Sequence, residues 1–447
     1  MTAPGRDIGF WTAVALVVGN MIGSGVFMLP ASLAPYGSMS LAGWAVSAGG
    51  SVALALVFAH LARAQPAAGG PYAYTRAAFG DLTGFLTGWG YWISVWSALA
   101  ALAIAFVGYL GPFVPSLVQH KTSAAALAVA AIWVVAFINL RGVRSAGRVQ
   151  VVTTVLKTLP LVFIGLIGLA HFSPSALQGT ASNTPAAANV MTVVTLTLWA
   201  FLGLESATIP AGAVRDAHRV IPRATILGTV IAAGVYVVST VGVMSLVPSA
   251  TLATSTAPFA DAAQRIAGAP AAAIIALGAA VSCLGALNGW TLMVGQLPMA
   301  MASDGLFPAF FARRSARGIP ATGIVTGALL GTTLVVVDWI QWWMAGGEGR
   351  DLVTLFTQVI LLSTLSTLVP YFFCSLSVVL GLGAAAPSAR GRTSHGIRLV
   401  ACAAWLYALV AIVGAGTEVL IGGLALLAAG VPVYFWMARR RVRPPSA

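Results

Sequence analysis

Long apolar runs alternate with short polar breaks along the whole chain. A membrane-crossing helix needs about 20 mostly apolar residues, and the runs have that length. Six lie near residues 9–34, 41–64, 82–112, 123–140, 149–171 and 190–213. Six more lie near 222–246, 270–301, 321–345, 352–383, 397–415 and 418–438. The pattern predicts an all-α integral membrane protein of about twelve spans, with residues 1–447 forming a single membrane domain. The N-terminal apolar stretch runs on into further helices and is read as a retained first span.

Two runs are interrupted at corresponding places. Span one reads Gly19-Asn20-Met21-Ile22-Gly23-Ser24-Gly25-Val26-Phe27 and then Pro30. Span six reads Trp199-Ala200-Phe201-Leu202-Gly203-Leu204-Glu205-Ser206 and then Pro210. They open two groups of five spans, 9–171 and 190–383, with 397–438 left as two additional C-terminal helices. Paired glycine-broken helices point to a transporter made of two inverted five-helix repeats, 5+5, with a site at mid-membrane. Glycine also serves close helix packing, which is enough to account for Gly43, Gly165 and Gly278. A Gly-Ser-Gly beside an asparagine inside a span asks for more.

An unwound turn exposes backbone groups that lipid cannot satisfy. A zwitterion can. The N–H groups of Ser24, Gly25 and Val26 start a half-helix and suit a carboxylate. The carbonyls of Trp199, Ala200 and Leu202 end another half-helix and suit an ammonium. The expected ligand therefore carries an α-amino group and, usually, an α-carboxylate.

Composition narrows the class. The chain is 59% hydrophobic and 7% charged, against about 25% charged in soluble domains, so a soluble enzyme or binding module is excluded. The net charge of +13 reflects orientation rather than nucleic acid. Nineteen Lys/Arg fall in the loops of one side and three (Lys121, Arg265, Arg350) on the other, which puts both termini in the cytoplasm. Cys283, Cys374 and Cys402 show no metal-ligand or disulfide spacing, and the five histidines are scattered. No nucleophile motif, ATP-binding loop or ion-filter repeat appears, so no enzyme, cofactor, metal, channel or primary pump is expected. A sensor built on a transporter scaffold would keep the same motifs.

Five stretches carry a family resemblance: residues 19–30 (GNMIGSGVFMLP), 68–74 (AGGPYAY), 198–207 (LWAFLGLESA), 283–296 (CLGALNGWTLMVGQ) and 304–308 (DGLFP). They resemble the amino acid–polyamine–organocation superfamily, most closely its basic amino acid/polyamine antiporters of the arginine/agmatine type. The resemblance implies the five-plus-five fold, alternating access and a homodimer formed through the last two helices. Its substrate would be an amino acid or decarboxylated amine, with protons as a second partner. The high Ala, Gly and Arg content points, by analogy, to a bacterial inner membrane.

The resemblance also assigns roles. Asn20, Ile22, Ser24, Gly25 and Val26 of span one, with Trp199, Ala200 and Leu202 of span six, would bind substrate. Trp199 would close over it, while Tyr91 and Trp290 form inner and middle gates. Glu205 would link transport to the cytoplasmic gate and to pH; a structural acid bonded to backbone or tyrosine hydroxyls is the competing reading.

Two departures stand out. Lys157 lies about two turns into span five, where its ammonium can snorkel to the interface. In other branches of the superfamily a lysine at this place replaces a sodium ion, which implies a sodium-independent protein with Lys157 bridging the span-one break and coupling protons. The arginine/agmatine antiporters carry an apolar residue there. The second departure is the side-chain pocket, where Leu99 and the pair Ile360-Leu361 replace three polar handles. Aliphatic walls leave a guanidinium's five donors unpaired. That favours the alternative of a proton-coupled, sodium-independent symporter or exchanger of neutral amino acids.

Overall fold

The first apolar run folds as two helices. In the computed structural model, α1 (Phe10–Met21) ends where Ile22 and Gly23 leave helical geometry, and α2 (Ser24–Leu33) restarts behind Gly23 at φ −112° and ψ −149°. The sixth run breaks more openly. Its helix stops at Trp199, and residues 200–210 follow as consecutive turns. Those turns close on i to i−3 bonds, such as Phe201 N–H to Leu198 O at 2.8 Å and Thr208 N–H to Glu205 O at 2.8 Å. Gly203 sits among them at φ +101°, a left-handed conformation that glycine adopts without steric cost.

The structure describes residues 7–111, 113–116, 120–173, 177–179, 186–253, 255, 257–346, 352–382, 394–414 and 417–442. The further helices are α3 (Met39–Ala64), α4 (Pro71–Phe79), α5 (Asp81–Tyr109), α6 (Lys121–Leu140), α7 (Val143–Ala170) and α8 (Ala186–Trp199). They are followed by α9 (Ala217–Leu246), α10 (Ser249–Ala253), α11 (Pro258–Ser303), α12 (Ala321–Met344), α13 (Leu352–Val379), α14 (His395–Gly414) and α15 (Thr417–Val442). Each expected run contains a helix. Among the described residues, nine helices are long and apolar enough to cross a bilayer unaided. The qualifying apolar parts of α1 and α13, Phe10–Met21 and Ser366–Val379, are shorter.

Two helical features depart from the sequence expectation. α4 falls in a stretch read as loop, and its nine residues are too few to span. It starts because Gly69 and Gly70 turn the chain at φ +95° and +49° and Pro71 supplies a preset first turn. Thr208 packs against Gly70 where a Cβ would otherwise stand, so the turn lies directly on the broken sixth span. α11 begins well before the expected residue 270. Its 46 residues would measure about 69 Å at 1.5 Å each, roughly twice a bilayer core. A kink at Ala267 and Gly268 (φ +75°) separates a short entry segment from the crossing helix.

Buried apolar side chains form two clusters. One draws on α1, α2, α3, α8, the turns after it, α9 and α14; the other on α5, α6, α11 and α12. Helices in lipid gain little from the hydrophobic effect between them, so close packing and buried hydrogen bonds hold them. Gly165 and Gly168 of α7 meet Gly242 of α9 with backbone against backbone. Outward-facing Phe163, Ile274, Leu399, Leu406 and Ile421 are more than half exposed, a surface suited to hydrocarbon rather than water.

Candidate functional site

The end of α1 leaves main-chain oxygens to be satisfied from outside the helix. Ile22 N–H bonds Val18 O at 2.9 Å, but Gly23 N–H turns back to Met21 O, so Gly19 O loses its i+4 donor. Lys157, fully buried on α7, donates from Nζ to both Gly19 O and Ile22 O. Ser282 on α11 adds its hydroxyl to Ile22 O at 3.3 Å. A cation at a helix C-terminus is favoured by the helix dipole. The lysine stem thus runs inward to the break rather than out to the bilayer face.

Asn20 ties the two broken spans together. Its Nδ2 donates to Ser206 Oγ at 2.9 Å, and Ser206 Oγ in turn donates to Gly203 O. Trp290 on α11 donates from Nε1 to Asn20 O at 3.4 Å. Glu205 lies in the same stretch of turns and is fully buried. Tyr91 of α5 donates to its Oε1 and Tyr371 of α13 donates to its Oε2. Gly203 N–H donates to the Tyr371 hydroxyl at 3.2 Å. The carboxylate is therefore the meeting point of three elements, with a phenol on each oxygen.

A cavity lies where the two breaks face each other. Asn20, Met21, Gly23 and Gly25 line it from the first span, and Trp199, Ala200 and Leu202 from the sixth. Ala98, Ala101 and Leu102 of α5, Trp290 of α11 and Ser363 of α13 complete the wall. The Trp199 indole lies against the backbone at Gly25, occupying the place a Cβ would take. Among the described lining residues none is acidic, and Asn20 and Ser363 supply the polar side chains.

Not every residue singled out in the sequence reaches the cavity. Asn20, Gly25, Trp199, Ala200, Leu202 and Trp290 do. Ile22 and Val26 are buried in the core beside the break. Leu99 packs toward Gly331 of α12, and its neighbours Ala98, Ala101 and Leu102 hold the α5 face instead. Tyr91 and Glu205 sit apart from the lining, in the tyrosine–carboxylate knot. Ala200 O already accepts the Tyr236 hydroxyl at 2.7 Å, leaving one lone pair for a ligand. Ser24 opens α2, but its side chain, like those of Ile360 and Leu361, lies outside the described residues.

Met21, Gly23, Ala98, Ala101, Leu102 and Ser363 line the cavity without having been singled out in the sequence, and Ser363 is the polar one among them. Its hydroxyl pairs with Ser94 Oγ at 3.0 Å and reaches Ser94 O at 3.1 Å. Ser94 also bonds Thr367, so a trio of hydroxyls joins α5 to α13 behind the cavity wall. A serine two residues beyond Leu361 in an apolar helix was the available signal. On the arginine-rich side, two resemblance motifs meet in a charged cluster. Arg76 pairs with Asp81 at 2.6 Å and Asp304 at 2.8 Å, and Tyr72 donates to Asp304 at 2.9 Å.

Residues 8–416 match the amino acid permease family, which spans both broken helices and the whole cavity wall. The chain belongs to the amino acid permease family. This permease is 35% identical over 380 residues to a cadaverine/lysine antiporter of Escherichia coli, covering 84% of this chain and 83% of that one. It is 32% identical to an arginine/ornithine antiporter of Pseudomonas aeruginosa over 96% and 90% of the two chains. It is 31% identical to the putrescine transporter PotE of Haemophilus influenzae over 97% and 98%. These relatives place the permease in the basic amino acid/polyamine antiporter branch of the amino acid–polyamine–organocation superfamily. It is a multi-pass membrane protein and a secondary transporter of the antiporter type.

Proposed function

We propose that the permease exchanges a basic amino acid for its decarboxylated amine, or for a second basic amino acid, across a bacterial inner membrane by alternating access. The carrying observation is the cavity between the two broken spans, lined from both of them, with two indoles, Trp199 and Trp290, on its wall. Indole faces attract ammonium and guanidinium groups. The substrates for which these relatives are named, lysine, cadaverine, arginine, ornithine and putrescine, belong to one chemical class that fits such a wall.

In this reading Gly25 and Val26 offer N–H groups to the carboxylate and Ala200 and Leu202 offer carbonyls to the α-ammonium. Trp199 closes over the ligand, Trp290 divides the path, and the Tyr91–Glu205–Tyr371 knot seals the cytoplasmic exit. The two five-span groups, 9–171 and 190–383, act as inverted repeats, and α14 and α15 face a second copy. Both termini lie in the cytoplasm, on the strength of the arginine asymmetry. The site moves its ligand unchanged; no catalytic step is assigned to it.

Counterflow in proteoliposomes tests this. Internal lysine, ornithine, arginine, cadaverine or putrescine is expected to drive labelled lysine or arginine uptake, while internal leucine, methionine or alanine is not. The second reading draws on Ala98, Ala101 and Leu102, an apolar wall that suits a neutral side chain. Uptake driven by leucine or alanine and enhanced by inward protons would establish it in place of the first.

Lys157 is assigned the coupling role. Its ammonium caps the span-one break, so its charge sets how firmly α1 is held. Lys157→Ala is expected to flatten the dependence of exchange on pH. Uptake assayed at a series of pH values checks it. An unaltered profile at full rate rules out the coupling role.

A further inference from the structure

One face of α7 carries three polar side chains on successive turns, Gln150, Thr154 and Lys157, at i, i+4 and i+7. All three reach main-chain oxygens of α1. Gln150 Nε2 donates to Ala15 O at 3.2 Å and Thr154 Oγ1 to the same oxygen at 3.1 Å, one turn below the carbonyls held by Lys157. Gly19 permits the approach, because a Cβ there would fall on the Gln150 amide and the Thr154 hydroxyl.

Gln150 also bonds in the other direction. Its Oε1 accepts from Asn288 Nδ2 at 3.1 Å; Asn288 Nδ2 also reaches Ala146 O at 2.9 Å, and its Oδ1 accepts from Asn139 Nδ2 at 3.1 Å. The three amides are 0%, 1% and 2% exposed, so they run in series through α7, α11 and α6 out of reach of solvent. Buried amides are costly in an apolar interior unless matched to one another. Asn288 stands two residues before Trp290, whose indole bonds Asn20 O, and Gly289 between them packs on Asn20 and Gln150.

We propose that Gln150 is a positioning residue of the transport cycle: through Ala15 and Asn288 it holds α1 in register with the turn of α11 that carries Trp290. The inference rests on reading the cavity as the substrate site. Gln150 itself touches neither substrate nor cavity. It makes the broken backbone and the gating indole arrive at the ligand as one unit.

Gln150→Met keeps the side chain's length and removes both of its bonds. Two net buried hydrogen bonds are lost, so the KM for the exchanged substrate is expected to rise about tenfold with kcat held within about twofold. Asn288→Leu should give a similar rise. The double variant should fall well short of the roughly hundredfold product, because both changes break one shared bond. Thr154→Val loses a bond to the same Ala15 oxygen but keeps the amide series, and its KM should move less than about threefold.

A second readout needs no substrate. Ala13 is fully buried on α1. The Ala13→Cys thiol should react about tenfold faster with a small maleimide in the Gln150→Met background, while buried Cys374 keeps its rate. Multiplicative KM effects, a loss of kcat at constant KM, or unchanged Ala13→Cys labelling would each overturn the proposal. If the wild type exchanges none of the amines or amino acids, the transport reading fails alone, and the labelling comparison still decides this one.

Discussion

Gly25→Leu is expected to abolish substrate binding, with affinity lowered at least about a hundredfold in a protein that still folds. Gly25 lines the cavity, and the Trp199 indole occupies the space its Cβ would need. A leucine must displace the indole or be displaced by it. Either way the ligand loses close approach to the N–H groups that open α2. Hydrogen bonds to a charged group are worth about 1.5–3 kcal/mol each, so losing two gives roughly 3–6 kcal/mol, beyond a hundredfold. The backbone at residue 25 is ordinary helix, so the substitution adds steric conflict with Trp199 but no backbone strain. Titration of purified protein with the exchanged amino acid, beside a melting curve, measures both halves. Wild-type affinity in a folded Gly25→Leu protein would remove the broken-helix site.

The second large effect belongs to Glu205. Glu205→Ala takes away the acceptor for the hydroxyls of Tyr91 and Tyr371 and unties α5, the turns of span six and α13 from one another. Each buried donor left without a partner costs about 1–3 kcal/mol, so the closed state loses roughly 2–6 kcal/mol. Exchange is expected to fall about a hundredfold or more, while substrate affinity changes less than about tenfold, since the carboxylate lies off the cavity wall. Exchange rate and equilibrium binding, measured on one preparation, separate the two. Full turnover in Glu205→Ala would leave Glu205 as a structural acid only.

What could be read from the chain follows a physical rule. Span positions were legible because lipid imposes length and hydrophobicity on every crossing segment. The breaks were legible because glycine, serine and proline in those segments conflict with an unbroken helix. α4 was not, since a nine-residue surface helix starting at Pro71 obeys no bilayer constraint and depends on Gly69 and Gly70 packing on the sixth span. Ser363 escaped because a pocket position carried over from a family resemblance, as at Ile360-Leu361, does not tell which way the helix is turned there. Leu99 illustrates the same limit, with its neighbours on the cavity and itself on α12. Of the polar stripe on α7, the sequence reading singled out Lys157 alone. The stripe's partners were not legible, because a carbonyl of Ala15 or Gly19 has no signature in the identity of the residue that bears it.

That last property reaches into how this protein can vary. Lys157, Thr154 and Gln150 grip α1 only through oxygens that every amino acid possesses. Alanine scanning of α1 would therefore pass over the grip almost entirely, registering it at Gly19, where any added carbon intrudes. An ester in place of the amide whose oxygen Lys157 holds would weaken it without altering a side chain. Sequence drift along this face of α1 is correspondingly cheap, and drift along the facing stripe of α7 is not.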